Sequence, residues 1–239
     1  MKSPLDLGIW LEFDEVESTQ NVAAEHLQRG EPIGVIFAKH QAGGRGRFGR
    51  GWHSEAGDSL TMSLIFREYA DHPAAYLVGM NVAIAVAGVL HSELQWPNDA
   101  VFGDKKVGGI LTELLPDEKG RMVPVVGVGI NLNQKQFPEE IAHRAISLAM
   151  YRGGSYDPEK IGRTVVERLP LLPEPNSWQE VGPVWMLFDH TPGKTYKLAG
   201  DQEAIALGVG PEGRLICSLN GESVSVMAAE AIFGVPEPS

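Results

Sequence analysis

Residues 107–115 and 123–131 are two near-continuous apolar runs, VGGILTELL and VPVVGVGIN, divided by the charged, hairpin-like stretch 116–121. Runs this short and this apolar fit strands buried on both faces, so they should hold central positions in one sheet. Further strands are expected at 9–13, 33–39, 60–67 and 100–102. Helices are expected from Ser18 or Thr19 to about Arg29, with Gly30 as the stop, and over 74–94, 141–152 and 158–169. Pro170, Pro173, Pro175 and Pro183 mark an irregular connection. The mixture implies an α+β fold built on a mixed β-sheet with helices.

From Lys194 the texture changes to four short strands, KTYKLA, EAIALGV, RLICSL and SVSVMA, with Asn220-Gly221 a strong hairpin signal. This reads as a small C-terminal β-barrel whose few residues cannot build a core alone, so it should pack against the larger part. The expected division is 1–189 and 190–239. At 239 residues with 43% hydrophobic content, the chain has material for a substantial core and is too short for three domains.

Twenty Lys and Arg against 31 Asp and Glu leave a net charge of −11, which disfavours general nucleic-acid binding. The N-terminus lacks the form of a signal peptide, and the apolar stretch 74–90 is interrupted by Gly79, Asn81 and Gly88. It is also short of the ~20 residues a membrane helix needs, so it reads as a buried helix and no membrane association is expected. A single cysteine, Cys217, excludes an internal disulfide and fits a reducing compartment, the cytoplasm by default. The seven histidines show no ligand spacing, and no metal site is assigned.

Against this acidic background, residues 39–52 carry Lys39, Arg45, Arg47 and Arg50 and no acid. Six glycines between Gly43 and Gly57 should prevent any helix or strand from persisting there. Guanidinium forks and exposed backbone amides suit an anionic ligand with carboxylate or phosphate oxygens. Gly44-Arg45-Gly46-Arg47-Phe48-Gly49 satisfies G-x-G-x-x-G but is no dinucleotide fingerprint, because the chain continues irregularly where a Rossmann turn must enter a helix.

Four segments in order, QAGGRGRFGRGW (41–52), WPND (96–99), KVGGILTE (106–113) and GVGINLN (127–133), resemble the biotin protein ligase family, the form without an N-terminal DNA-binding domain. The resemblance is specific from about Phe13 to Asn133 and looser over the C-terminal strands, which are similar to that family's SH3-like domain. It implies a class II synthetase-like catalytic domain of the biotin–lipoate ligase type. It further implies that ATP and biotin, with Mg2+ on the ATP, give biotinyl-5′-AMP and pyrophosphate. Biotin then passes to one lysine of a biotin carboxyl carrier protein.

The resemblance places Ser18, Thr19, Gln41, Arg45, Gly108, Gly109, Gly127 and Gly129 at biotin. It places Arg47, Arg50, Trp52, Asn98, Asp99, Lys106 and Asn131 at ATP or the adenylate, with Lys106, Arg45 and Arg47 acting on the reacting oxygens. Hydroxyls and an amide suit the ureido head, which has two donors and one acceptor. For Ser18 and Thr19 the plain alternative is helix capping. Gln20, where the family commonly has Asn, is given no direct contact. Lys106 has a turn-lysine alternative, Gly127 and Gly129 have close strand packing, and Trp52 is either a loop anchor or a core residue. Only 17 residues precede Ser18, so no operator-binding domain is expected; self-association into a homodimer stays open.

The Gly/Arg segment is expected to order over the bound adenylate and shield it from water. Protease cleavage within 43–57 should slow when biotin and ATP are added; an unchanged cleavage rate would count against closure. Two rival functions share these residues. One is a lipoate ligase, separable by competition between lipoate and biotin, and the other is a non-enzymatic biotin or nucleotide sensor, which would form no adenylate.

Overall fold

The computed structural model describes residues 3, 5–49, 51–52, 55–198, 202–227 and 231–233. Seven strands form one sheet: β1 (Ile9–Val16), β2 (Ile33–Gln41), β3 (Ser59–Ile65), β4 (Glu93–Gln95), β5 (Asp99–Phe102), β6 (Lys105–Pro116) and β7 (Met122–Asn131). They lie in the order β1-β2-β3-β7-β6-β5-β4, so the two long apolar runs occupy the middle strand and its neighbour. β1 and β2 run parallel, connected through helix α1 (Thr19–Gln28), while the other neighbouring pairs of this sheet are antiparallel.

Alternation along each strand sorts the side chains onto two faces. Leu60, Met62, Leu64, Ile110, Val126, Val128 and Ile130 point into the main core, which they share with α2 (Tyr76–Leu90). The opposite face carries a smaller core of Ile36, Ile65, Val123 and Val125 under Ala23 and Leu27 of α1. Helix α2 is buried almost all round, because the sheet covers one side and later helices cover the other. No helix among the described residues is long and apolar enough to cross a membrane.

Helix α2 stops at Leu90, short of the expected 94, because His91 turns left-handed (φ 47°) and the chain re-enters the sheet as β4. The single helix expected over 141–152 is two, α3 (Glu139–Ala142) and α4 (Leu148–Arg152). The break is a tertiary effect: Lys106 N–H donates to the Arg144 carbonyl at 2.8 Å, and Ile146 N–H donates to the Lys106 carbonyl at 3.0 Å. Residues that could have continued a helix bond to β6 instead. α5 (Pro158–Arg168) follows, with Asp157 accepting from Glu159 and Lys160 N–H as its cap. The proline-rich connection contains an unexpected helix, α6 (Trp178–Trp185), which tolerates Pro183 because Val181 and Trp185 are anchored in the core.

β8 (Thr195–Leu198), β9 (Glu203–Val209), β10 (Leu215–Leu219), β11 (Glu222–Val226) and β12 (Ala231–Phe233) form an antiparallel sheet in the order β11-β10-β9-β8-β12. Asn220 and Gly221 take φ of 53° and 88° at the β10–β11 turn, the backbone a two-residue hairpin requires. The inward side chains Tyr196, Ala204, Ala206, Leu215 and Cys217 belong to the same core as α2. Residues 188–190 bond along β4, with His190 N–H donating to Leu94 O at 2.7 Å, so the approach to the C-terminal strands is itself paired to the large sheet.

One glycine in β2 fixes how closely the N-terminal segment lies on the sheet. A β-carbon on Gly34 would sit 1.8 Å from the carbonyl oxygen of Leu7. Gly34→Ala is expected to cost at least about 1–3 kcal/mol of stability, because the obstacle is backbone. A lowered thermal midpoint with substrate affinities retained is the predicted readout.

Candidate active site

The face of the sheet that meets α1 changes character beyond that helix's N-terminus. Thr61, Gly129 and Gly109 lie in register across β3, β7 and β6, and Ser63, Gly127 and Leu111 form the adjacent row. Gly109, Leu111, Gly127 and Gly129 of these rows border a cavity of about 1030 Å³, with Lys106, Gln20 and Trp52 reaching over the glycines. Its wall is completed by the start of α1, by parts of 41–58, by 95–99 with Lys106, and by 133–145.

Thr19 anchors one end of this floor. Its N–H and hydroxyl both approach Gln41 Oε1, at 2.7 and 3.0 Å, and the buried Ser63 hydroxyl lies 2.8 Å from Thr19 Oγ1. A backbone N–H can only donate, so the Gln41 atom facing it is the oxygen. The Thr19 hydroxyl then donates to it, and Ser63 donates to Thr19. The chain Ser63 to Thr19 to Gln41 therefore has a defined direction and leaves the Gln41 amide N–H groups for other acceptors. Ser18 is buried and extended just before the helix but makes no capping bond, so the capping alternative does not describe its side chain.

Gln20, given no contact from sequence, lines the cavity. Its Nε2 lies 2.9 Å from Glu113 Oε2 and 3.5 Å from the carbonyls of Leu111 and Val125. Three acceptors fix the amide orientation, and Gln20 Oε1 is left buried without a partner. Trp52 Nε1 and Gln134 Oε1 are likewise buried and unpartnered. Three residues lining the cavity therefore each carry a buried polar atom without a partner.

Trp52 lies against the floor: a β-carbon on Gly129 would come within 2.7 Å of its indole, and one on Gly109 would be 3.8 Å away. The glycine tract before it is folded back, with a bridge between Arg45 and Gly51 and one 3-10 turn, Arg47–Gly49, but no longer element. Arg45 and Arg47 both line the cavity; Arg45 donates to Asn21 Oδ1 at 2.8 Å, and the Arg47 guanidinium lies 4.8 Å from the Phe48 ring centroid. Arg50 lies outside the described residues.

Lys39, counted with this cationic cluster from sequence, is elsewhere. It pairs with Asp14 at 2.8 Å and Glu12 at 3.4 Å on exposed β1, and neighbouring acid raises its pKa while lowering that of Asp14. The cluster is weaker than +4 for a second reason, since Glu55 and Asp58 also line the cavity.

At the other end Lys106 Nζ stands 2.6 Å from Asp99 Oδ1, so this lysine is an ion-paired residue and not a free turn cation. Asn98 is tied to β6 twice: its Nδ2 donates to the Ile110 carbonyl at 2.8 Å and its carbonyl accepts from Ile110 N–H at 2.9 Å. Asp104 also borders the cavity, and its carboxyl is held below the ordinary range by hydrogen bonding to the Lys194 ammonium. Asn131 Nδ2 donates to Ile146 O at 3.3 Å, and Gln134 Nε2 bonds Ser59 Oγ at 2.6 Å beside it.

Of the residues expected at a site, Ser18, Thr19, Gln41, Arg45, Arg47, Trp52, Asn98, Asp99, Lys106, Gly109, Gly127, Gly129 and Asn131 converge on this cavity. Gly108 does not: a side chain there would meet the Gly129 carbonyl at 3.0 Å and Ile130, so it serves strand packing. Residues 133–138 and Arg144 had not been expected at the cavity, and Asn133 within the GVGINLN segment was the one available signal.

A cavity laid on a mixed sheet, with hydroxyl and amide groups at one end and an Asp–Lys pair at the other, defines the class. The chain belongs to the Biotin/lipoate A/B protein ligase family, whose pattern residues 12–131 match. The bifunctional ligase/repressor BirA of Bacillus subtilis is 31% identical over 243 residues, which cover 92% of this chain and 73% of BirA. The BirA of Bacillus spizizenii is 34% identical over 219 residues, and there the match covers 87% of this chain and 62% of that protein. Among solved structures, the biotin protein ligase of Aquifex aeolicus in complex with biotin and ATP superposes with a TM-score of 0.70 at 25% identity, covering 94% of this chain and 98% of that one.

Proposed function

We propose that this chain activates biotin with ATP to biotinyl-5′-AMP and transfers biotin to a lysine of a biotin carboxyl carrier protein. The observation that carries this reading is the directed chain of Ser63, Thr19 and Gln41 at the end of a glycine floor. A lipoyl dithiolane offers nothing to a buried row of donors and acceptors, whereas a cyclic urea has two N–H donors and one carbonyl for them. The unpartnered Gln20 Oε1 adds an acceptor on the same floor. The similarity to biotin protein ligases, one of them in complex with biotin and ATP, supports the same assignment.

In this reading Ser18, Thr19, Gln41 and the floor glycines Gly109, Gly127 and Gly129 seat biotin with its carboxylate toward Lys106. That oxygen attacks the α-phosphorus of ATP, a carboxyl–phosphate anhydride forms, and pyrophosphate leaves. Two anions must meet, so positive charge around the reacting oxygens lowers the barrier. Lys106 with Arg45 and Arg47 supplies it, Asp99 holds the Lys106 ammonium in place, and Trp52, Asn98 and Asn131 border the nucleotide. Arg50 is assigned to the nucleotide by resemblance.

Mg2+ shields the triphosphate charge when bound. The carrier amine, ordinarily protonated with a pKa of ~10.4, loses a proton and attacks the acyl carbon, and AMP departs. A chain with one cysteine can form no internal disulfide, and we assign the reaction to the cytoplasm on that ground.

Competition in an ATP–pyrophosphate exchange assay tests the substrate. Biotin is expected to drive exchange and lipoate to leave it unaffected, with mass-detected transfer to a carrier domain following. Exchange driven by lipoate and not by biotin would reverse the assignment.

A further inference from the structure

The Trp96-Pro97-Asn98-Asp99 turn is gripped from two sides. Its Asn98 end is tied to β6, as described above. Its Trp96 end is held by residues that follow the large sheet in sequence. Tyr196 Oη donates to the Trp96 carbonyl at 2.7 Å, the Trp96 indole N–H donates to the Gly213 carbonyl at 2.8 Å, and Trp96 N–H donates to Thr191 Oγ1 at 3.0 Å. The two rings meet edge to face at 5.7 Å, and Trp96, Thr191 and Tyr196 are all fully or almost fully buried. Every polar group of Trp96 thus finds its partner in 191–213.

We propose that Tyr196 is a positioning residue for ATP activation: its hydroxyl fixes the Trp96 carbonyl, and through the turn it sets where Asn98 stands and where Asp99 holds Lys106. The proposal rests on the ligase reading above. The consequence follows from the geometry of the turn, because Asp99 lies three residues from the clamped carbonyl and is the partner of Lys106 at 2.6 Å. Displacements of about 1 Å at such a group are felt strongly in a phosphoryl-type transfer. Burial and the nearby carboxylates of Asp99 and Asp189 push the Tyr196 phenol far up, so it remains a neutral donor.

The test is Tyr196→Phe, which keeps the ring packing and removes one donor, assayed in biotin-dependent ATP–pyrophosphate exchange alongside wild type. The expected result is a rise in KM for ATP of roughly 5- to 50-fold with biotin affinity unchanged, since the Thr19 end of the cavity does not touch the clamp. Thr191→Val, which removes the partner of Trp96 N–H, is expected to act in the same direction and serves if the first variant is poorly folded. Lowered thermal stability with an unchanged KM for ATP in both variants would overturn the positioning role. If wild type itself shows no biotin-dependent exchange, the ligase reading is what fails.

Discussion

Lys106→Ala should lower biotin-dependent pyrophosphate exchange on the order of 10²- to 10³-fold while leaving the fold intact, the size of effect seen when one group stabilising developing charge is removed. The side chain is about one-third exposed, lines the cavity and lies outside the hydrophobic core, so its loss threatens no core. Its main-chain bonds to Arg144 and Ile146 do not depend on the side chain and keep β6 in place. Lys106→Ala leaves Asp99 as an unopposed negative charge where two further anions must bind, so KM for ATP should rise as well as kcat fall. Circular dichroism and thermal midpoint check the fold; near-native exchange would remove Lys106 from the reaction.

Gln41→Leu is expected to raise KM for biotin on the order of 10- to 100-fold with KM for ATP nearly unchanged. Gln41 Oε1 receives both the N–H and the hydroxyl of Thr19, which are almost fully shielded from water. Removing that acceptor strands two donors at about 1–3 kcal/mol each, and the Ser63 bond to Thr19 loses its direction. Biotin would have to bind a floor whose hydrogen bonds no longer match it. Steady-state exchange kinetics with each substrate varied separate this from a general collapse, and an equal loss in both KM values would contradict a biotin-specific role.

Much of this site was legible because strand alternation is a strong signal. In 123–131 Val126, Val128 and Ile130 fall on one face while Val123, Val125, Gly127, Gly129 and Asn131 fall on the other, so the main core is read from one face and a switch from apolar to small and polar residues from the other. Gly108 looks the same as Gly109 in sequence, yet only its place in the register sends it toward β7 and away from the cavity. Arg144 was hidden because 141–152 has helical spacing, and only the long-range bond to Lys106 breaks it. Charge counted along the chain misplaces Lys39, since its partners Glu12 and Asp14 lie on the adjacent parallel strand. Glu113 as the partner of Gln20 spans more than ninety residues and left no local trace.

In the proposed reaction this cavity joins a carboxylate to the α-phosphate of ATP. Purified protein mixed with biotin, ATP and Mg2+, in the absence of any carrier, should yield a bound biotinyl-adenylate by mass spectrometry with one pyrophosphate released for each adenylate formed. Biotin bound with ATP left uncleaved, or ATP cleaved without an acyl-adenylate, would contradict it.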